Sequence, residues 1–336
     1  MIKREGYISI YALLVMSILM IITSYLVYES KVEYHISINT RNNLQSYYLA
    51  EGKIYMILFD KYYDEEFYPF VVEVFRGKRT TTKDIILDNR DIDEFESPSK
   101  VKLTLRENNN RMEFNLSSES DYKGIKTNIT ASGTLVNDFF ELGSPILSPS
   151  TLENSTEDFH MLLNRIFEEI NIDFKDLPSN TYGGQFSNFQ SLILNQIDEN
   201  NSYLYAYRET MVEPYIEHIG NNNIVLIIRK YGENDVDLIL GNEEGLDSPM
   251  ELNGLIFVEG NITVFNKFNF NGIIILRDGD IIVKSNEKPK INGLIISSKD
   301  LNEDSIDVSY NSENIYRYGL YIPGFIEPNI LLFKSN

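Results

Sequence analysis

One stretch constrains this chain more than any other. From Tyr7 to Tyr28, "YISIYALLVMSILMIITSYLVY", no side chain is charged across 22 residues. Wound as an α-helix, the run spans about 33 Å, enough to cross a hydrocarbon core about 30 Å thick. Ser9, Ser17, Thr23 and Ser24 are tolerated there because a helical hydroxyl bonds back to the carbonyl one turn earlier. Lys3 and Arg4 precede the run, and the positive-inside bias predicts that the chain beyond it lies outside the cell. A secretory signal would have a shorter apolar core and then a small-x-small cleavage site, and this run has neither. Proline first occurs at Pro69, and Gly52 is the one glycine between Tyr7 and Tyr63. The pattern therefore predicts a helix over 7–63, reaching about 85 Å. Residues 28–46 are mixed and polar, whereas Tyr47–Phe59 is apolar nearly all round, which predicts burial against a folded domain.

That helix resembles the one in type IV pilins and type II secretion pseudopilins, over about the first 60 residues of 336. The leader matches as Lys3-Arg4-Glu5-Gly6, and "SYYLAEGKIYMI" is similar to the Ala-Glu motif of X-type minor pilins. The resemblance implies cleavage between Gly6 and Tyr7 by a prepilin peptidase, with the apolar helix retained as membrane anchor and filament core against other pilin subunits. The new N-terminus in the family is usually Phe or Met, and here it is Tyr7. The fifth mature residue of major pilins is Glu, and here it is Tyr11. A carboxylate in a bilayer costs on the order of 2.5–3.5 kcal/mol unless it meets a cation. In the family that cation is the terminal amine of the neighbouring subunit, so a subunit with no neighbour above it needs no carboxylate. The K-type tip pseudopilin lacks the Glu too. The resemblance thus implies a minor pilin at or near the tip of a pilus or secretion pseudopilus, helping to start assembly. It would be a single-pass membrane protein with an extracytoplasmic head, displayed later on the pilus or cell surface. A plain uncleaved signal anchor is the competing reading.

Beyond the helix the signals turn to strands. Val101, Leu103 and Leu105, then Met112, Phe114 and Leu116, alternate with polar residues around Asn108-Asn109-Asn110, which reads as a hairpin loop. Ile125, Thr127 and Ile129 continue the alternation. These predict an antiparallel sheet over 64–142 packed on the helix. "GSPILSPSTLENST" reads as the start of a linker over 143–220, carrying an amphipathic helix near 157–170 and a second short helical piece at Leu192–Ile197. Residues 221–336 contain a repeat. Asn-Gly recurs at 253–254, 271–272 and 292–293, with an apolar run after each. "EGNITV" and "DGDIIV" come after the first two copies, and "IVLII" with "VDLIL" reads as an earlier, degenerate one. Asn-Gly also marks two-residue hairpins, so an antiparallel sandwich is the alternative. Continuous apolar runs at this period fit stacked coils better, in a short parallel β-helix that "YRYGLYIPGFIEP" closes at one end. The fold class expected is α+β, a long transmembrane helix packed on an antiparallel sheet and succeeded by a C-terminal β-rich domain.

The composition narrows the function. The formal charge is −20, which repels nucleic acid and anionic lipid headgroups as partners of the soluble part. The chain has no cysteine, which removes disulfides, thiolate catalysis and Cys-ligated zinc. His35, His160 and His218 stand in no metal-binding spacing, and no nucleophile elbow, phosphate loop or zinc-protease helix is present. The acidic cluster Asp88–Glu96 lacks the glycine-turned spacing of a calcium loop, and Asp278–Asp280 or Glu243–Glu244 carry little information in so acidic a chain. No cofactor, metal or catalytic role is expected. A signal-anchored adhesin or carbohydrate-binding module, with a surface glycan or host protein as ligand, is the alternative function, and an anchored polysaccharide-active enzyme a distant third. Tyrosines in "YLYAYRETMVEPY" read mainly as strand residues.

Overall fold

Helix α1 (Glu5–Phe59) is uninterrupted over 55 residues, as expected of a segment without proline and with a single interior glycine beyond Tyr7. The computed structural model describes residues 5–77, 80–88, 100–108, 111–152, 155–173, 177–198, 201–208, 212–230, 232, 235–241 and 249–335. The helix stops at Asp60, whose carboxylate accepts from the Lys61 amide at 2.8 Å. A single π-turn over Tyr63–Phe67 leads into α2 (Tyr68–Phe75), where Pro69 occupies the first turn and no helical amide is missed.

The head sheet contains β1 (Thr82–Ile86), β2 (Lys100–Asn108), β3 (Arg111–Tyr122) and β4 (Ile125–Val136), all antiparallel. Asn108 pairs with Arg111 across the expected hairpin, whose two loop residues lie outside the described ones. Val101, Leu103, Leu105, Met112, Phe114, Leu116 and Ile129 are buried on one face, so the period-two pattern sets the core face directly. The fifth strand is β18 (Ile326–Ser335), which pairs with β4. The last ten described residues therefore belong to the head and not to the C-terminal block 221–336. Their pairing is non-local and leaves no local sequence signal.

The chain between β4 and β18 builds two parallel sheets. After β5 (Ile146–Leu147) and α3 (Thr156–Glu169) come β6 (Tyr182–Phe186), β7 (Ser191–Asp198), β8 (Asn201–Tyr207) and β9 (Tyr215–Ile219). Next are β10 (Asn223–Ile228), β11 (Val236–Leu240), β12 (Met250–Val258), β13 (Gly260–Val264), β14 (Phe268–Leu276), β15 (Ile281–Val283), β16 (Lys290–Ser297) and β17 (Asp307–Tyr310), with α4 (Ser312–Gly319) before β18. From β10 to β16 strands alternate between the sheets, whereas β7, β8 and β9 follow one another antiparallel in one sheet and β16 and β17 share the other. One sheet runs β17-β16-β14-β12-β10-β6, the other β15-β13-β11-β7-β8-β9. Each turn pairs in parallel with the next, so Ile228, Val258 and Leu276 fall in one register. The Asn-Gly pairs lie inside strands rather than at hairpin turns. Asn253, Asn271 and Asn292 align across β12, β14 and β16. Their amides form a ladder, Asn271 Nδ2 donating to Asn253 Oδ1 at 2.8 Å and Asn292 Nδ2 to Asn271 Oδ1 at 3.2 Å.

The 143–220 segment is more structured than a linker. Its helix is α3, but β5 joins β16, β6 joins β10, and β7 joins β11. Leu192–Ile197 is part of strand β7 and not a helical piece, because Leu192 and Leu194 alternate inward at period two. The "YRYGLYIPGFIEP" segment does not close an end of the stack. Helix α4 lies across β12, β14 and β16, burying Ile315, Tyr316 and Tyr318. One apolar core runs from α1 (Ala50, Ile54, Ile57) through the head sheet to the outer face of the first parallel sheet (Val225, Leu255, Ile273, Leu294), and a second lies between the parallel sheets. The chain is thus α+β, with a long first helix, an antiparallel head sheet and a C-terminal β-rich region.

Glu141 ties the head to α4. Its Oε1 accepts from the Met112 amide at 2.7 Å and from the Tyr316 hydroxyl at 2.8 Å, while Oε2 is buried without a partner. Burial raises its pKa above 4.5, against the lowering effect of those two hydrogen bonds. Between the ordinary carboxylate value and this raised one, the native state holds a proton that the unfolded chain has released, so the group's contribution to stability falls as pH rises through that window. Glu141→Gln keeps the acceptor and neutralises the orphaned oxygen. It is expected to be more stable than the parent by about 1 kcal/mol at pH 7, with the gap closing toward pH 4, as read from urea midpoints across pH.

Candidate functional site

The features singled out in the sequence lie on the free part of α1. Every residue from Tyr7 to Ser37 is exposed, and the apolar window within the helix has a mean hydropathy of 2.3 with none of it buried. By length and composition this helix can cross a membrane. Ser17 Oγ bonds back to Leu13 O at 2.8 Å and Thr23 Oγ1 to Leu19 O at 2.7 Å. Those hydroxyls are satisfied within the helix, which lowers the cost of apolar surroundings. Gly6 and Tyr7 lie in the first turn, with the helix already formed at Glu5. Tyr11 is one turn on, on the face of Tyr7, and each residue is 67% exposed.

The lower half of α1 is fixed to the head. Asn42, Ser46, Ala50, Ile54 and Ile57 are buried at spacings of three and four, a single stripe. Small residues at 46 and 50 let the helix lie close to β3 and β4. Ser46 Oγ lies 2.7 Å from Ser120 Oγ and donates to Ile125 O at 3.0 Å, and Ser120 Oγ donates to Ser46 O. Lys53 is buried, its ammonium donating to Glu119 O at 2.9 Å. The expected burial of Tyr47–Phe59 against a folded domain is seen on one side of the helix, through Ala50, Ile54, Ile57 and Leu58. Tyr48, Tyr55 and Phe59 are exposed on the opposite face, because only one side meets a sheet. The one sequence signal for the Ser46/Ser120 contact is the stripe of small or polar residues at 42, 46 and 50, which does not identify the partner.

A charged node joins α3 to the parallel sheets. Arg229, Glu259 and Arg277 directly succeed Ile228, Val258 and Leu276 and occupy the same position in successive turns. Glu259 Oε1 is 3.4 Å from Arg229 Nη1 and 3.0 Å from Arg277 Nη1, and Oε2 accepts from the Lys230 amide at 3.0 Å. Arg229 also donates to Phe167 O and Ile170 O at 2.9 and 2.8 Å, capping the end of α3 where carbonyls lack helical partners. The sequence signal for this node is a charge of alternating sign after the first three apolar runs of the repeat, which acquires meaning only once the register is known.

The histidines are not brought together. His35 is on α1, His160 on α3 and His218 on β9, where its Nε2 lies 3.0 Å from Asn201 Oδ1. Among the described residues no group of three or more His, Asp or Glu is arranged to hold a metal ion. The acidic cluster beyond Asp88 and the pair Glu243–Glu244 lie outside the described residues. Asp278 and Asp280 use backbone amides in the stack, Asp278 N donating to Ser298 Oγ at 2.8 Å and Asp280 N to Asn261 Oδ1 at 3.0 Å. Tyr203, Tyr205 and Tyr207 are half-buried at alternate positions of β8, strand residues as expected.

No family model matches the sequence, and no curated protein matches it. Among solved structures, the crystal structure of the competence-associated pilin ComZ from Thermus thermophilus is similar at 12% identity and a TM-score of 0.24. The alignment covers 88% of this chain and 98% of that one.

Proposed function

We propose that this chain is a minor pilin, a structural subunit of a type IV pilus or related secretion pseudopilus, acting at or near the filament tip. One observation carries the reading: a single helix has a bare apolar half and a lower half locked into the core of a folded head. A helix built to be cut away has no reason to continue into the fold it precedes. In this reading a prepilin peptidase removes residues 1–6 after Gly6, and Tyr7 becomes the mature terminus. The helix first anchors the chain as a single-pass membrane protein with an extracytoplasmic head, then packs against other pilin helices. Tyr11, in place of the family glutamate, suits a subunit that starts a filament and has none above it. The parallel sheets form a short β-helix displayed outward, and the role is structural rather than enzymatic.

Intact-mass measurement of the membrane-extracted protein tests this. The expected mass lacks Met1–Gly6, with a methyl group on the Tyr7 amine, and Gly6→Asp blocks the cut. A mature chain that retains Met1 overturns the pilin reading and favours a signal-anchored adhesin or carbohydrate-binding module.

A further inference from the structure

The stack of parallel turns ends differently at its two ends. At the far end, the outer edge of β16 is covered by β17 over Lys290–Gly293 and by β5 over Ile295–Ile296. At the near end, the first parallel sheet stops at β6, which among the described residues pairs with β10 alone. Each residue of a strand sends its amide and carbonyl to the same side, and neighbours alternate. The Phe186 carbonyl accepts from Arg229 N on the β10 side at 2.8 Å, so Gly183 and Gln185 point theirs outward. Among the described residues nothing bonds to them there. The strand, "YGGQF", carries neither lysine nor proline, the residues that usually guard an open edge.

The second parallel sheet does not stop there. β8 and β9 continue it past β6 as antiparallel strands, so among the described residues its last strand faces no partner across the stack. Between that overhang and β6 lies a cleft of about 400 Å³, lined by Tyr182, Phe186, Phe189, Arg208, Tyr215 and Glu217. The Tyr182 and Phe186 rings close over the position a Cβ of Gly184 would take. The Arg208 guanidinium lies 4.2 Å from the centre of the Phe189 ring, which orients it by a cation–π contact. The Tyr182 hydroxyl is buried beside the Glu217 carboxylate without a well-formed hydrogen bond.

We propose that this cleft receives an extended peptide segment of a partner protein, which adds to β6 as the next strand of the sheet. One apolar side chain of the segment enters the aromatic box, and a Lys or Arg two residues away reaches Glu217. Main-chain bonds to Gly183 and Gln185 supply the pairing, and the two alternate pockets supply the selectivity. A saccharide would use the rings, but its hydroxyls do not repeat at the spacing of a strand's outward amides and carbonyls as a peptide backbone does. The net charge of −20 favours a cationic segment and disfavours a second copy of this chain. The proposal does not depend on the first helix being a filament core.

The test uses the full-length protein in detergent, fluorescently labelled, on an array of acetylated hexapeptides. These are threonine throughout, with positions two and four varied through all side chains. Signal is expected to concentrate on peptides that combine Val, Ile, Leu or Phe at one position with Lys or Arg at the other. Gln185→Pro removes one outward amide without touching the β10 ladder, and an edge strand tolerates proline. It is expected to weaken the best peptide about tenfold with an unchanged thermal midpoint. Glu217→Gln is expected to abolish the preference for Lys or Arg. Should Gln185→Pro fold poorly, the same loss is read from the parent protein with a peptide N-methylated at alternate residues. Absence of peptide signal, binding indifferent to Gln185→Pro and to N-methylation, or an oligosaccharide that binds while no peptide displaces it overturns the proposal. So does light scattering showing a dimer sealed by β6.

Discussion

Gly272→Val is expected to cost about 3–5 kcal/mol and to open the stack at its centre. Gly254, Gly272 and Gly293 align across three turns, and a Cβ on each would enter the space of a backbone carbonyl one turn earlier. At Gly272 the obstacle is the Gly254 carbonyl oxygen, and φ is +152°. The obstacle is backbone, so no rotamer change relieves the clash, and a branched side chain disfavours that φ as well. Relief requires the turns to separate, which breaks the Asn253–Asn271–Asn292 ladder with them. Urea denaturation should show the loss, and limited proteolysis should begin between residues 250 and 297. Asn271→Ser, which shortens one rung without adding a Cβ at the glycine, is expected to cost about 1 kcal/mol. Equal costs for the two variants would show that close approach of the turns is not what glycine supplies.

The second large effect is expected at Glu259, which is 5% exposed and faces two guanidinium groups. Glu259→Ala leaves Arg229 and Arg277 at close quarters and orphans the Lys230 amide. Removing one member of a buried pair costs about 3–5 kcal/mol. The arginine side chains are 25% and 36% exposed, so solvent screening brings the expectation to about 2–3 kcal/mol. The double variant Glu259→Ala with Arg277→Ala should recover part of that loss, because it removes the repulsion as well. Strict additivity in a double-mutant cycle would argue that the two residues do not interact. Arg229→Ala has a further consequence, since Phe167 O and Ile170 O lose their donor and the end of α3 frays. Amide exchange over residues 166–170 should report it.

Much of the architecture is legible where one physical signal has no rival. Twenty-two uncharged residues without proline leave a helix as the one solution, and period-two alternation at 101–105 and 112–116 places those residues on the buried face. The Asn-Gly repeat admits two topologies, and the parallel registers decide between them. Leu192–Ile197 misleads because a short apolar run fits either element, and its neighbours across the sheets lie far away in sequence. The return of Ile326–Ser335 to β4 is not legible, since strand partners separated by most of the chain leave no periodicity behind. Of the proposed site, the bare helix can be read directly. The proposed cleavage after Gly6 and the proposed role of Tyr11 are legible only through the resemblance, since among the described residues neither makes a contact within the chain that carries such a role.

The strand β18 has a mechanical consequence. The chain leaves the head at Val136 and comes back at Ile326, and these two residues are paired neighbours. A pull on the parallel stack therefore arrives at one end of the β4–β18 ladder and parts it rung by rung, the weak direction for a sheet. A pull along α1 runs parallel to its buried stripe and must shear the whole contact with β3 and β4 at once. Under tension between the two, the seam at β18 gives way first. The parallel stack is then dragged out as slack chain while the grip of the helix on the head stays whole.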